Sequence, residues 1–360
     1  MLKCVGPKLT GWAVGLLLLL AMPALAACPG SEVAFRLSGD FTNAVTIVDG
    51  IAYVPDGGYG LRIFDVTSPA SPRQLAVFRS GDRAEDVAVV GAYAYLADGR
   101  LGLRVLDISN PNSPQERGRI LSWDQAQGVA CDGIYCYLAD GRGGLRVIDV
   151  TVPNEPRQVS SLPSNQRSRG LYLLDKIVYL ADGYGGLRVV DVSVPEEPRE
   201  RGWLGSLHES INVTVIGTLA YLADGTGGMR IVDVSDPDSI YETGRLESND
   251  STHHIAVDGS RAYVSDRGGG FRVADIEDEY DPVQIGALTN RYLAYRSAIL
   301  GDYAYLAAGK NGLSVLNIAG CTPPPPEDED EGEDPEGLST GFHFWAKFKA
   351  KSGLVMSISW

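Results

Sequence analysis

The sequence predicts an all-β fold, a seven-bladed β-propeller with four-stranded blades, and three observations predict it. A tyrosine-centred motif recurs seven times at a 42-residue spacing without insertion or deletion, at Tyr53, Tyr95, Tyr137, Tyr179, Tyr221, Tyr263 and Tyr305. Within each copy the apolar residues recur at period two, the period of a strand with one face buried. The repeat length falls in the roughly 40–50 residues that one propeller blade occupies.

Residues 86–114 show the elements of one copy. DVAVV alternates and ends at Gly91, YAYLA follows at once, then DGRLG, then LRVLDI, then SNPNSP. The runs are rich in β-branched and aromatic residues. DGRLG reads as a glycine-rich hairpin turn, because glycine takes positive φ without steric cost. SNPNSP ends the third run, since proline cannot donate to a sheet ladder. A fourth run, QERGRIL, precedes the next copy. Each copy is thus a four-stranded antiparallel meander; helical repeats of similar length need apolar spacings of three and four, which are missing here. One blade cannot bury both its faces, whereas seven around an axis bury them against one another. Equal copies with no polar capping segment favour a closed ring over an open solenoid.

The two ends of the repeat array fit together. After LSVLNI at 313–318 the last copy has no fourth run and enters TPPPP. At the other end GSEVAFRLSGD (30–40) aligns in repeat register with PRQLAVFRSGD (72–82). Residues 31–38 are therefore expected as the outermost strand of the blade that contains Tyr305.

The third strand reads LRIFD, LRVLD, LRVID, LRVVD, MRIVD, FRVAD and LSVLN. In this pattern the chain resembles the LVIVD-repeat family over about residues 30 to 321. The Gly-His pair of WD40 repeats does not occur, and Trp-Asp occurs once, at Trp123-Asp124, outside the recurring motif. The resemblance implies an exported bacterial or archaeal propeller and brings no catalytic residues with it.

Four segments follow. Residues 1–27 read as a signal peptide: Lys3 and Lys8 precede an apolar run from Trp12 to Met22, too short to span a membrane, and Ala24-Leu25-Ala26 is an A-x-A cleavage site. Residues 28–321 form the propeller, 322–341 a Pro-rich and acidic linker, and 342–360 an aromatic, basic tail. The location expected is extracytoplasmic: periplasm, outer membrane or cell surface.

Two readings compete at Cys28. Leu25-Ala26-Ala27-Cys28 resembles a lipobox, which would make Cys28 a lipidated first residue and anchor the chain in a membrane. In repeat register, however, Cys28 and Cys321 fall at the adjacent positions of Ala70 and Pro69, close enough for a disulfide across the cut in the ring. Cys131 and Cys136 flank a turn and form a second candidate pair, and four cysteines after removal of Cys4 make an even set for an oxidising compartment.

The formal charge is −15, and loss of Lys3 and Lys8 with the signal takes it to −17. This excludes a general affinity for nucleic acid, which needs a basic face. Eight acids between Glu327 and Glu336 read as a solvated spacer. The tail, FHFWAKFKAKSGLVMSISW, offers a possible membrane contact or an added strand for a partner.

Six of the seven copies carry an Asp-Arg-Asp set: Asp at 56, 98, 140, 182, 224 and 266, Arg six residues on, and Asp three further. The seventh changes all three, to Ala308, Ser314 and Asn317. Joint loss predicts one hydrogen-bonded unit of blade scaffolding, and the carboxylates per turn are too few for calcium.

Function is therefore sought where the copies differ, in the segment before each first strand: FTNA, RAED, QAQG, RSRG, ESIN, STHH and LAYR. If the first strands line the central channel, these segments ring one mouth of it. Asn43, Glu85, Asp86, Gln127, Arg169, Glu209, Asn212, His253, His254 and Arg296 are the candidate ligand-binding residues, with Arg167 and Tyr295 on the same ring. Adjacent His253 and His254 point to opposite sides of a strand, so no metal is expected. No catalytic signature, Walker loop or nucleotide fingerprint occurs, so no catalytic residue and no cofactor is assigned. The expectation is a binding scaffold for an unknown protein or polysaccharide; the alternative is an exported hydrolase or lyase working at the mouth.

Overall fold

The computed structural model describes residues 31–288 and 293–321. The signal segment, Cys28, the linker and the tail lie outside the described residues, and the Cys28–Cys321 pairing lies there with them. Cys321 itself is buried and is not a free thiol.

The chain forms seven four-stranded antiparallel sheets, one per tyrosine motif, numbered here as blades 1 to 7. Blade 2 is representative: Ala84–Val90 innermost, then Tyr93–Asp98, Leu103–Asp107 and Gln115–Ile120 outermost. The middle two strands are almost fully buried and the outer strand is largely exposed, so the apolar middle of every blade packs against its neighbours. Blade 7 departs from sequence order as expected. Its outermost strand is Ser31–Arg36, paired antiparallel with Leu313–Asn317. Blade 7 in turn packs on blade 1, where Tyr305, Leu313 and Val315 share one core with Ala52, Val54 and Phe64.

The DG turn links the blades. Each of Gly57, Gly99, Gly141, Gly183 and Gly225, together with Arg267 and Gly309, pairs by backbone with a residue at or just ahead of the start of the next blade's inner strand. The pairing of Gly309 with Thr42 joins blade 7 to blade 1, with Thr42 N donating to Gly309 O at 3.0 Å. The six glycines take φ between 52° and 58°, the left-handed region that glycine adopts freely.

The buried Asp and Arg of the motif form the second link. In blade 3, Arg146 Nη1 donates to Asp140 at 3.0 Å and to the carbonyl of Leu121 at 2.8 Å, while its Nε donates to Gln158 at 2.8 Å. Asp140 also accepts from the hydroxyl of Ser122, two residues past the end of the preceding blade's outer strand. The serine recurs at 38, 80, 164, 206 and 248 against the matching aspartates. One correction follows. The second aspartate is not part of this unit: Asp149 sits at the far end of the third strand, where it accepts from Thr151 N at 2.9 Å and pairs with Arg157 at 3.0 Å. It caps the turn that ends the strand, and those bonds hold its carboxyl below the usual range. In blade 7, which lacks the Asp–Arg pair, Ser314 donates to Glu32 of the N-terminal strand at 2.7 Å.

Cys131 and Cys136 are bonded, as expected, and stand directly opposite each other on the first two strands of blade 3.

Candidate functional site

The inner strands adjoin one another around the channel, and the residues leading into them converge on one hollow of about 380 Å³. The backbone explains why. In six blades the equivalent residue, Asn43, Gln127, Arg169, Ile211, His253 or Tyr295, donates its N–H to the carbonyl that ends the second strand, at 2.8–3.0 Å. That bond fixes each side chain at the same height on the rim. In blade 2 the corresponding residue, Glu85, is the extra residue of a bulge, between Ala84 opposite Asp98 and Asp86 opposite Ala97.

Of the predicted residues, Asn43, Glu85, Gln127, Arg169, Asn212, His253 and Arg296 line this hollow together, with Arg167 and Tyr295. Three stand elsewhere. Asp86 is buried behind the lining, where it accepts from Arg296, reaching over from blade 7, and from the backbone N–H of Val129 at 3.2 Å. That pair links blades 2 and 7 past blade 1. Glu209 ion-pairs with Arg169 at 2.5 Å and faces a smaller neighbouring hollow of about 210 Å³. His254 is half-buried, and its Nδ1 accepts from the backbone N–H of Ser297 at 3.4 Å.

Phe41, Arg83, Gln125, Ile211 and Arg267 also line the hollow. The first four lie within the variable lead-in segments, and only their individual weight was missed. Arg267 lies in the DG turn instead, where every other copy has glycine, and that substitution was the available signal.

The electrostatics are uneven. Five arginines line the hollow against one carboxylate among the described lining residues, Glu85. Arg83 pairs with Glu85 at 2.8 Å, and Arg167 donates to Gln125 of the preceding blade at 2.7 Å. Burial pushes the Glu85 carboxyl up to about 7 against the opposing pull of Arg83 and Arg169. Burial, with Arg169 and Arg267 nearby, lowers His253 to about 4; burial, with Arg296, lowers His254 to about 3. Both imidazoles are neutral at pH 7. His253 and Phe41 each meet the Tyr295 ring edge-on, at 5.1 and 4.9 Å between centroids. The mouth therefore has an aromatic arc from blades 6, 7 and 1, which also carries Arg267 and Arg296, and an arginine-amide arc from blades 2 to 4. Among the described residues, no group of three or more His, Cys, Asp or Glu is arranged to hold a metal ion.

Fold and mouth together define a repeat-built seven-bladed propeller of the kind that serves as an interaction scaffold. The LVIVD repeat model matches residues 39–76, 81–122, 125–163, 168–203, 209–247, 250–288 and 294–324, and the chain belongs to the LVIVD-repeat family. No curated protein matches it in sequence. Among solved structures it is similar to U3-55K (TM-score 0.64, 13% identity, 80% of this chain and 98% of that one). It is equally similar to the WD40 repeats of RRP9 (0.64, 13%, 80% and 97%). The computationally designed Ika8 protein also matches (0.59, 11%, 80% and 100%). At these identities the likeness is one of fold alone.

Proposed function

We propose that the protein is an exported scaffold, at the cell surface or in the periplasm, that binds a protein or polysaccharide ligand at the channel mouth. The observation that carries this reading is the division of labour along the repeat. What recurs in each copy is buried and links blades, while what varies converges on one polar hollow. A regular ring that gathers unlike side chains at one opening has the form of a binding site. Export is supported by the signal-like segment at 1–27 and by the Cys131–Cys136 bond, since disulfides persist in oxidising compartments. Membrane attachment through Cys28 or through the tail belongs to the same proposal.

Glu85 favours a second reading. A carboxyl near 7 in a hollow suits general acid–base chemistry, as in a hydrolase or lyase. One experiment separates the two. The purified chain and its Gln125→Ala/Gln127→Ala variant are applied to arrays of oligosaccharides and peptides, and captured ligands are then followed for turnover. Capture lost in the variant at unchanged melting temperature supports mouth binding; capture unaffected by the variant overturns it. Turnover abolished by Glu85→Gln, with capture retained, establishes the enzyme.

A further inference from the structure

The mouth is rich in guanidinium groups on a chain of formal charge −15. Three of its five arginines are matched by carboxylates: Arg83 by Glu85, Arg169 by Glu209 and Arg296 by Asp86. Two are not. Arg167 bonds only the neutral amide of Gln125, and Arg267 has no ion pair among the described residues. Arg169 adds a buried Nε–H that has no acceptor. Unmatched guanidiniums around a hollow attract an anion and receive carboxylates in a fixed fork geometry.

The backbone at Arg267 points the same way. Its φ is 38°, and it stands where the other six copies have glycine at 52–58°. A side chain in this region is strained. Asp49 and Asp175 also keep positive φ where other copies have glycine, but of the three it is Arg267 that lines the hollow. The carboxylates at and behind the rim limit the charge that the hollow can accept, which favours one negative charge over a doubly charged phosphate. The aromatic arc of Phe41, Tyr295 and His253 faces the arginine-amide arc across the channel. A ligand that suits both has an apolar ring face and a polar, acidic edge. The second hollow shares Ile211 with the first and continues outward past Tyr184 and Leu207, which leaves room for further units of a chain.

Resting on the binding reading above, we infer that the mouth takes a carboxylate borne on a hydroxylated ring: a hexuronate unit, free or within an acidic polysaccharide. The carboxylate is drawn to Arg267, which lies on the aromatic side next to His253 and the Tyr295 segment, and the C–H face of the ring lies on Tyr295. The hydroxyls reach the side-chain amides of Asn43, Gln125 and Gln127, with Arg167 adding positive charge from the opposite side.

The test is calorimetric titration of the full purified chain with galacturonate, glucuronate, their tetramers, the methyl-esterified tetramers, a neutral glucose tetramer, a sulfated disaccharide and an acidic peptide. The expected result is binding of uronides that esterification abolishes. Arg267→Gly, which restores the glycine of the other copies and so preserves the fold, should weaken binding by about tenfold or more, the loss expected for one charge-assisted contact. Tetramers binding more tightly than monomers identify a polysaccharide as the source, and equal affinities identify the free acid. No uronide binding, equal binding of esters or neutral sugar, preference for the sulfated sugar or the peptide, or an Arg267→Gly affinity equal to wild type each overturns the inference. If a non-uronide probe binds and the Gln125→Ala/Gln127→Ala variant loses it, the mouth reading stands and only the carboxylate is wrong. If that variant leaves binding of every probe intact, the mouth reading falls as well.

Discussion

The arginines of the third strands and those of the mouth carry the same guanidinium in opposite surroundings. Arg146 is almost wholly buried, and its Nε and Nη1 make three bonds: to an aspartate, to a carbonyl of the preceding blade, and to Gln158 of its own outer strand. The equivalent glutamine or glutamate recurs at 74, 116, 200, 242 and 284, so the ring repeats the arrangement six times. Arg267 is exposed, lacks an ion-pair partner among the described residues and stands on strained backbone. Satisfied donors hold a structure together, whereas donors left over at a concave surface are available to something else. Residue type says nothing here about role, and neither does a single unfilled donor: buried Arg104 of the scaffold and Arg169 of the mouth each keep an Nε–H without an acceptor, but only Arg169 lines the hollow.

Breaking the scaffold should have the largest effect. Arg146→Ser leaves Asp140 buried without its counter-charge, and losing one member of a buried pair costs about 3–5 kcal/mol. Denaturant unfolding should show this loss, while any mouth ligand keeps its affinity. A loss of affinity at unchanged stability would erase the distinction between the two sets of arginines.

Glu85 tests the mouth side through pH. Its folded pKa, about 7, lies above the ordinary 4.5, because burial disfavours the carboxylate. Between those values the folded chain keeps a proton that the unfolded chain has released. The Glu85 contribution to stability therefore falls as pH rises from about 4.5 to 7 and levels off above, by at most about 3 kcal/mol. The lowered His253 and His254 act with the opposite sign below pH 6.5, so the quantity to read is the difference between wild type and a Glu85 variant. Glu85→Gln mimics the protonated form, so it should match wild type near pH 4 and exceed it near pH 8. Parallel stability curves for the two proteins from pH 4 to 8 would show that Glu85 is solvated.

Much of this was legible in the sequence, for physical reasons. A fixed period with strand alternation leaves few architectures, and the missing fourth run of the last copy was matched by residues 31–36 at the other end. The mouth was legible because the lead-in segments vary while the strands around them do not. What the repeat could not reveal was partnership. Asp149 and Arg146 vary together yet sit at opposite ends of one strand, because repetition reports that positions share a copy and not that they touch. The serine partner of each buried aspartate went unnoticed for the converse reason: it lies 18 residues earlier, in what reads as a connection. Arg267 was hidden in a turn that the other copies defined as glycine.

The smallest expected effect is the sharpest for the comparison. If Arg267 is held in a left-handed conformation for the sake of its side chain, its removal should relieve strain. Arg267→Gly keeps the backbone bridge to Ala294, since both of its hydrogen bonds are main-chain. The variant also acquires the residue that the same bridge uses in the other six copies. The penalty for a non-glycine residue in this region is about 1–2 kcal/mol, offset by the extra freedom that glycine gives the unfolded chain. The net expectation is a gain of about 1 kcal/mol or less, read as a small rise in melting temperature. A scaffold residue replaced by glycine should show the opposite sign, as Arg146 would. A destabilised Arg267→Gly protein would mean that this guanidinium makes a structural contact after all and belongs with the buried set. A stabilised variant that loses its ligand would place stability and binding in opposition at one residue of the rim.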